Sequence, residues 1–281
     1  MYSKINIAGI AFASLVLCAA APLVSADEPC ENGGGDPLGE CRVLIEINAS
    51  DGDIGFHVLF DGEGWTKAEI FDPSDSKIFD ETVTDGADAK LAMQTLTENF
   101  FESTEPFCEQ ELDEEGEGFQ TLTQFLLLFP QGPYDFRLDS GAQTGTTNLT
   151  HVIPAAPADV DFDGKNITWE YGDDLGECTT WPVGFEPAEE DDIIGYEVVL
   201  EPDDDELAPF SFSIRVPADV NKIRVPKQYL DGLEADTPLK VEVGAIEDRG
   251  GFFGNQTFSE EDGFCNNPSQ EQCPEEDDDE E

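Results

Sequence analysis

Positive charge is what this chain has least of. Thirteen lysines and arginines stand against 64 aspartates and glutamates, a formal charge of −51 over 281 residues. Such a surface repels phosphate backbones and anionic bilayers, which excludes nucleic acid and charged lipid as partners. Histidine is nearly absent too, with only His57 and His151. Neither stands near a cysteine or serine in a pattern that marks a nucleophile pair, so both read as structural or surface residues. No CxxC pair occurs, and with two histidines the chain has no structural zinc pattern. GxSxG, HExxH and glycine-rich phosphate loops are missing as well, so no enzyme class is marked. Paired carboxylates could serve a glycosidase, but among 64 acids some pair always stands near another. Beyond the first 26 residues no apolar run approaches the roughly 20 residues of a membrane span.

Apolar residues do concentrate at the start. Lys4 supplies a positive n-region, Ile7 to Val24 are mostly apolar, and Val24-Ser25-Ala26 is a small-residue cleavage pattern. The sequence therefore predicts a secretory signal over residues 1–26 and a secreted protein, extracellular or periplasmic. Leu17 before Cys18 argues against a lipid-attachment site, which wants a small residue there. Cleavage removes the single positive charge of Lys4, so −51 becomes −52. Salt screens such a charge over about 8 Å near 0.15 M, which suits a saline habitat. Six cysteines then remain: Cys30, Cys41, Cys108, Cys178, Cys265 and Cys273. An even number in a secreted chain reads as disulfides. Spacing does not give their connectivity. If each bridge stays inside one domain, Cys41–Cys108 and Cys178–Cys265 are the favoured pairs. Glycosylation sequons stand at Asn48, Asn148, Asn166 and Asn255.

The stretch from His151 to Pro157 carries two prolines that stiffen an extended connector, and it makes the best domain boundary. Expected are a flexible acidic, Gly-rich segment over 27–40, an N-terminal β-sandwich-like domain over 41–153, a second domain over 157–265, and a disordered acidic tail over 266–281. Short β-prone runs at Val43–Ile47, Gly55–Phe60, Lys67–Phe71 and Tyr134–Leu138 are bounded by turn residues. Thr121 and Gln124 form a capping-box pattern ahead of Leu122, Phe125, Leu126 and Phe129, with Pro130 as the stop. Leu91 to Phe101 fits a helix or a strand.

Residues Asp159 to Glu170, DVDFDGKNITWE, satisfy a calcium-loop pattern letter for letter. Yet Pro154 and Pro157 occupy the place of an incoming helix, and Ile167, Trp169 and Tyr171 alternate with polar residues at period two. Two half-buried strands with a turn at Gly164-Lys165 account for every residue. Further strands are predicted at Ile193–Leu200, Phe210–Val216, Lys222–Val225, Leu239–Ile246 and Asn255–Phe258. Asn166-Ile-Thr-Trp-Glu-Tyr171, Ile194-Gly-Tyr-Glu-Val-Val199, the run from Tyr229 to Ile246 and Asn255-Gln-Thr257, in that order, resemble a fibronectin type III domain. The resemblance implies a seven-stranded immunoglobulin-like sandwich with Trp169 between its sheets. Leu239 departs from it, standing where the family has a corner tyrosine. The N-terminal half, with Glu46 to His57, resembles a domain found beside it in secreted microbial proteins, and that resemblance carries no activity.

The fold class is thus all-β, with two β-sandwich domains and one short helix in the first. The compact polar group is Asn48, Asp51 and Asp53, a candidate calcium site; otherwise no cofactor is implied. Trp65 and Trp181, near turns, are candidate sugar-stacking platforms. Taken together, the residues suggest a secreted, non-enzymatic interaction or adhesion protein whose partner is an extracellular protein or glycan. The alternative is a carbohydrate-binding accessory module.

Overall fold

The structure is a computed structural model, and it describes residues 30–31, 33–83, 90–108, 120–178, 182, 185–203, 210–234 and 236–266. The expected signal over 1–26, Trp181, Cys273 and all of the expected tail except Asn266 lie outside these residues.

A short β1 (Asp36–Pro37) precedes two long strands, β2 (Glu40–Asn48) and β3 (Asp53–Trp65). Next come β4 (Lys67–Phe71), β5 (Lys77–Thr82), helix α1 (Lys90–Gln94) and β6 (Leu96–Glu102). The ambiguous stretch around Leu91 to Phe101 is therefore both, a helical turn and then a strand. Helix α2 (Leu122–Leu128) leads into β7 (Gly132–Leu138) and β8 (Gln143–Leu149). The remaining strands are β9 (Ala158–Phe162), β10 (Asn166–Glu170), β11 (Ile193–Pro202), β12 (Phe212–Pro217), β13 (Lys222–Arg224), β14 (Pro238–Asp248) and β15 (Phe253–Cys265). The chain is all-β, as the strand-forming runs predict. Helix α2 has the expected cap: the Gln124 N–H donates to Thr121 Oγ1 at 3.2 Å and the Thr121 N–H to Gln124 Oε1 at 3.0 Å.

The described residues form three sheets, a five-stranded β1-β8-β7-β4-β5, a three-stranded β13-β10-β9 and a seven-stranded β12-β11-β14-β15-β2-β3-β6. The last runs through both halves of the chain. Its seam is a parallel pairing of β15 with β2, which sets Gln256 opposite Glu46 and Phe258 opposite Asn48. Two cores lie on its inner side. In the first, Val43, Ile45 and Ile47 alternate inward from β2 and meet Trp65, Tyr134, Phe136 and Leu138. In the second, Trp169 and Ile167 of the three-stranded sheet face Tyr196, Val198, Val241 and Val243. This three-plus-four sandwich, with Trp169 only 1% exposed, has the form that the fibronectin type III resemblance implies.

The acidic DVDFDG stretch is a hairpin and not a calcium loop. Phe162 pairs with Ile167 and Asp161 with Thr168, and Val160, Phe162 and Ile167 are buried. Asp163 closes the turn by accepting the N–H groups of Lys165 at 3.1 Å and Asn166 at 2.7 Å. Gly164 supplies the positive φ of 78° that the turn needs.

Both favoured disulfide pairs are wrong. Cys30 bonds to Cys41, Cys108 bonds to Cys178, and Cys265 is disulfide-bonded too. The premise that bridges stay within one domain fails because the loop between β10 and β11 crosses to the first core. Leu175, Cys178 and Phe185 all pack there. The segment expected to be loose is also anchored at its end: Glu31 bridges to Thr146, β1 pairs with β8, and Cys30 is bonded to Cys41.

Candidate functional site

Strand alternation that sends Val43, Ile45 and Ile47 inward sends Arg42, Leu44, Glu46 and Asn48 to the other face of β2. On β3 the same rule puts Asp53, Gly55, His57 and Leu59 on that outer face. Register then brings the set together. Glu46 stands opposite Gly55 and Leu44 opposite His57, while His57 faces Glu102 of β6 on its other side. Directly opposed residues have side chains in contact range.

The outer face holds a cleft of about 320 Å³ lined from both halves. Arg42, Glu46, His57 and Phe100 come from the N-terminal half, and Glu197, Arg215 and Glu242 from the C-terminal half. Phe100 is 58% exposed at the rim, its ring 5.9 Å from that of His57 and edge-on to it.

At one end of the cleft the charges crowd. His57 is 9% exposed, and its Nε2 is shut off from solvent with no aligned hydrogen-bond partner. Glu102 Oε1 lies 3.2 Å from that nitrogen and Glu46 Oε1 3.9 Å. Burial holds the imidazole below its ordinary pKa of 6.5, even though the charge and proximity of Glu102 pull it upward. Burial, reinforced by Glu102, Glu197, Glu242 and Asp53, pushes the Glu46 carboxyl up to about 7. Glu105, just past β6, is pushed up to about 8 by desolvation and by its hydrogen bond to Glu102. Its segment is fixed against β3: the Ser103 N–H donates to Phe56 O at 2.9 Å, Phe107 bridges to Asp53, and the Cys108 N–H donates to Gly52 O at 2.7 Å.

The residues picked out by sequence fall beside this cluster. Asn48 and Asp51 build the turn between β2 and β3: Asn48 Nδ2 donates to Asp51 Oδ2 at 2.7 Å, and Asn48 Oδ1 accepts the Ser50 N–H at 3.2 Å. Asp53 begins β3, where its charge acts on Glu46 and Glu105. What the sequence reading missed was His57, Glu102 and Glu105. Period two from Asp53 leads to His57, but pairing with Glu102 depends on the β3–β6 register, which no local pattern encodes. Trp65 must be corrected as a sugar platform, since it is 0% exposed and packs against Phe60 at 5.4 Å. The turn that suggested exposure is a bulge whose tryptophan points into the first core.

No family model and no curated protein matches the chain. Among solved structures it is similar to the crystal structure of the FN1–FN3 domains of chicken CNTN1, at 11% identity and a TM-score of 0.29, over 81% of this chain and 68% of that one.

Proposed function

We propose that the chain is a secreted, non-enzymatic interaction protein that meets an extracellular protein partner on the outer face of its shared sheet. The observation that carries this is the cleft itself: strands of both halves build it, and Phe100 stands 58% exposed at its rim. An exposed aromatic beside a desolvated charged pocket is the usual composition of a binding hot spot. The Cys30–Cys41 and Cys108–Cys178 bridges support an oxidising, extracellular setting. The absence of any catalytic sequence pattern favours binding over turnover.

The test compares proteins captured from the culture medium on immobilised wild type, Phe100→Ser and Leu127→Ser. Leu127 is still more exposed, at 77%, but lies on α2, away from the cleft. A partner kept by wild type and by Leu127→Ser, and lost from Phe100→Ser, is the expected result. Equal retention on all three would remove the cleft from the interaction.

A further inference from the structure

We propose that His57, Glu102 and Glu105 form a binding site for one divalent transition-metal ion, with zinc as the ion to test. The imidazole nitrogen and one oxygen of each carboxylate all lie within 4.8 Å of one another. This is more than a group of acids. His57 Nε2 is buried, lies 3.2 Å from Glu102 Oε1 and makes no well-aligned hydrogen bond, so an ion placed between it and the carboxylates would give it a better-directed partner.

The backbone beneath leaves room for that ion. A Cβ at position 55 would stand 3.0 Å from His57 Nε2 and 3.2 Å from Glu105 Oε1. Gly55 therefore keeps open the space between the two ligand atoms. Zinc binds nitrogen and carboxylate oxygen at about 2.0–2.2 Å, which puts neighbouring ligands of a tetrahedral site roughly 3.4 Å apart. The 3.2 Å between Nε2 and Glu102 Oε1 already meets that spacing. Glu105 is exposed, and it closes the remainder by rotating about its side-chain bonds.

Donor chemistry narrows the ion. Calcium and magnesium favour oxygen alone, whereas an imidazole in the set favours zinc and its first-row neighbours. A dication between the Glu102 and Glu105 carboxyl groups would supply the positive charge that this acidic corner lacks. Glu46, with Oε1 3.9 Å from Nε2, is the next nearest carboxylate and stands ready as a fourth donor. A bound ion would tie β3, β6 and the segment after β6 together at one end of the cleft.

The experiment titrates the full chain with zinc alone, at high sodium chloride and with magnesium in excess, so that the acidic surface is occupied. Imidazole signals are followed by NMR. With two histidines in the chain, the spectrum separates the site from a control, because His151 Nε2 is already 2.9 Å from Phe129 O. One zinc per chain is expected, with His57 signals moving and His151 signals still. Glu105→Gln, on an exposed segment, and His57→Gln should weaken binding by more than the roughly 10–100-fold that loss of an outer-shell partner costs. Gly55→Ala should weaken it as well, and Asp51→Asn should not. Binding only to the acidic surface, as many weak equivalents displaced by magnesium, would overturn the site. So would unmoved His57 signals or unchanged affinity in Glu105→Gln.

Discussion

Asn255→Ala is expected to destabilise the protein by about 3–5 kcal/mol, an exceptional loss for one polar residue. Its side chain is 0% exposed and ties its own strand to two other pieces of chain. Oδ1 accepts the Ile45 N–H of β2 at 2.8 Å, filling the ladder position just before the Gln256–Glu46 pairing. Nδ2 donates to Thr150 O at 3.1 Å and Val152 O at 2.9 Å in the connector. Truncation strands one buried N–H and weakens the satisfaction of two carbonyls, and each unsatisfied group costs about 1–3 kcal/mol. Around it, Glu247 is 2% exposed and accepts the Asn255 N–H at 2.8 Å and the Thr150 hydroxyl at 2.5 Å. Arg249 Nη1 reaches across the seam to Val43 O at 3.1 Å. Urea unfolding of wild type and Asn255→Ala checks this, and a cost under about 1 kcal/mol would mean the seam relaxes without it. The same burial closes the Asn255 sequon to a glycan in the folded chain.

Trp169→Ala is the second large effect, also about 3–5 kcal/mol, the usual range for removing a core tryptophan. The indole is 1% exposed and edge-on to Tyr196, with ring centroids 5.3 Å apart. No neighbour can fill the space, because the three-stranded sheet is braced by the β9–β10 hairpin and by Ile167–Ile223 pairing to β13. Glu170, the next residue, is exposed. Glu170→Gln should stay within about ±0.5 kcal/mol, as surface changes do. Comparable losses from the two variants, measured side by side by urea unfolding, would contradict the strand assignment.

Much of the fold was legible in the sequence because burial writes itself as periodicity. Ile167, Trp169 and Tyr171 gave strand β10 against a perfect calcium-loop pattern, and Thr121 with Gln124 located helix α2. Strand β8 was missed because its run Gln143–Leu149 is polar and glycine-containing. It is held by partners elsewhere in the chain, such as the Glu63 N–H that donates to Gln143 Oε1 at 2.6 Å. The disulfides were misassigned for a related reason: which loop crosses to which core is a tertiary fact that cysteine spacing does not carry. The candidate site lay half in view. Asp53 was singled out on the right strand face, but the histidine four residues on gains its meaning only from Glu102 across the ladder.

The seam between β15 and β2 is the feature on which the cleft and its charges depend, and amide hydrogen exchange reads it directly. Peptides covering residues 46–48 and 256–258 are expected to exchange as slowly as those around Trp65 and Trp169, with the four regions opening together. Fast exchange at the seam, with the two tryptophan cores still protected, would show two separate sandwiches and contradict the shared sheet.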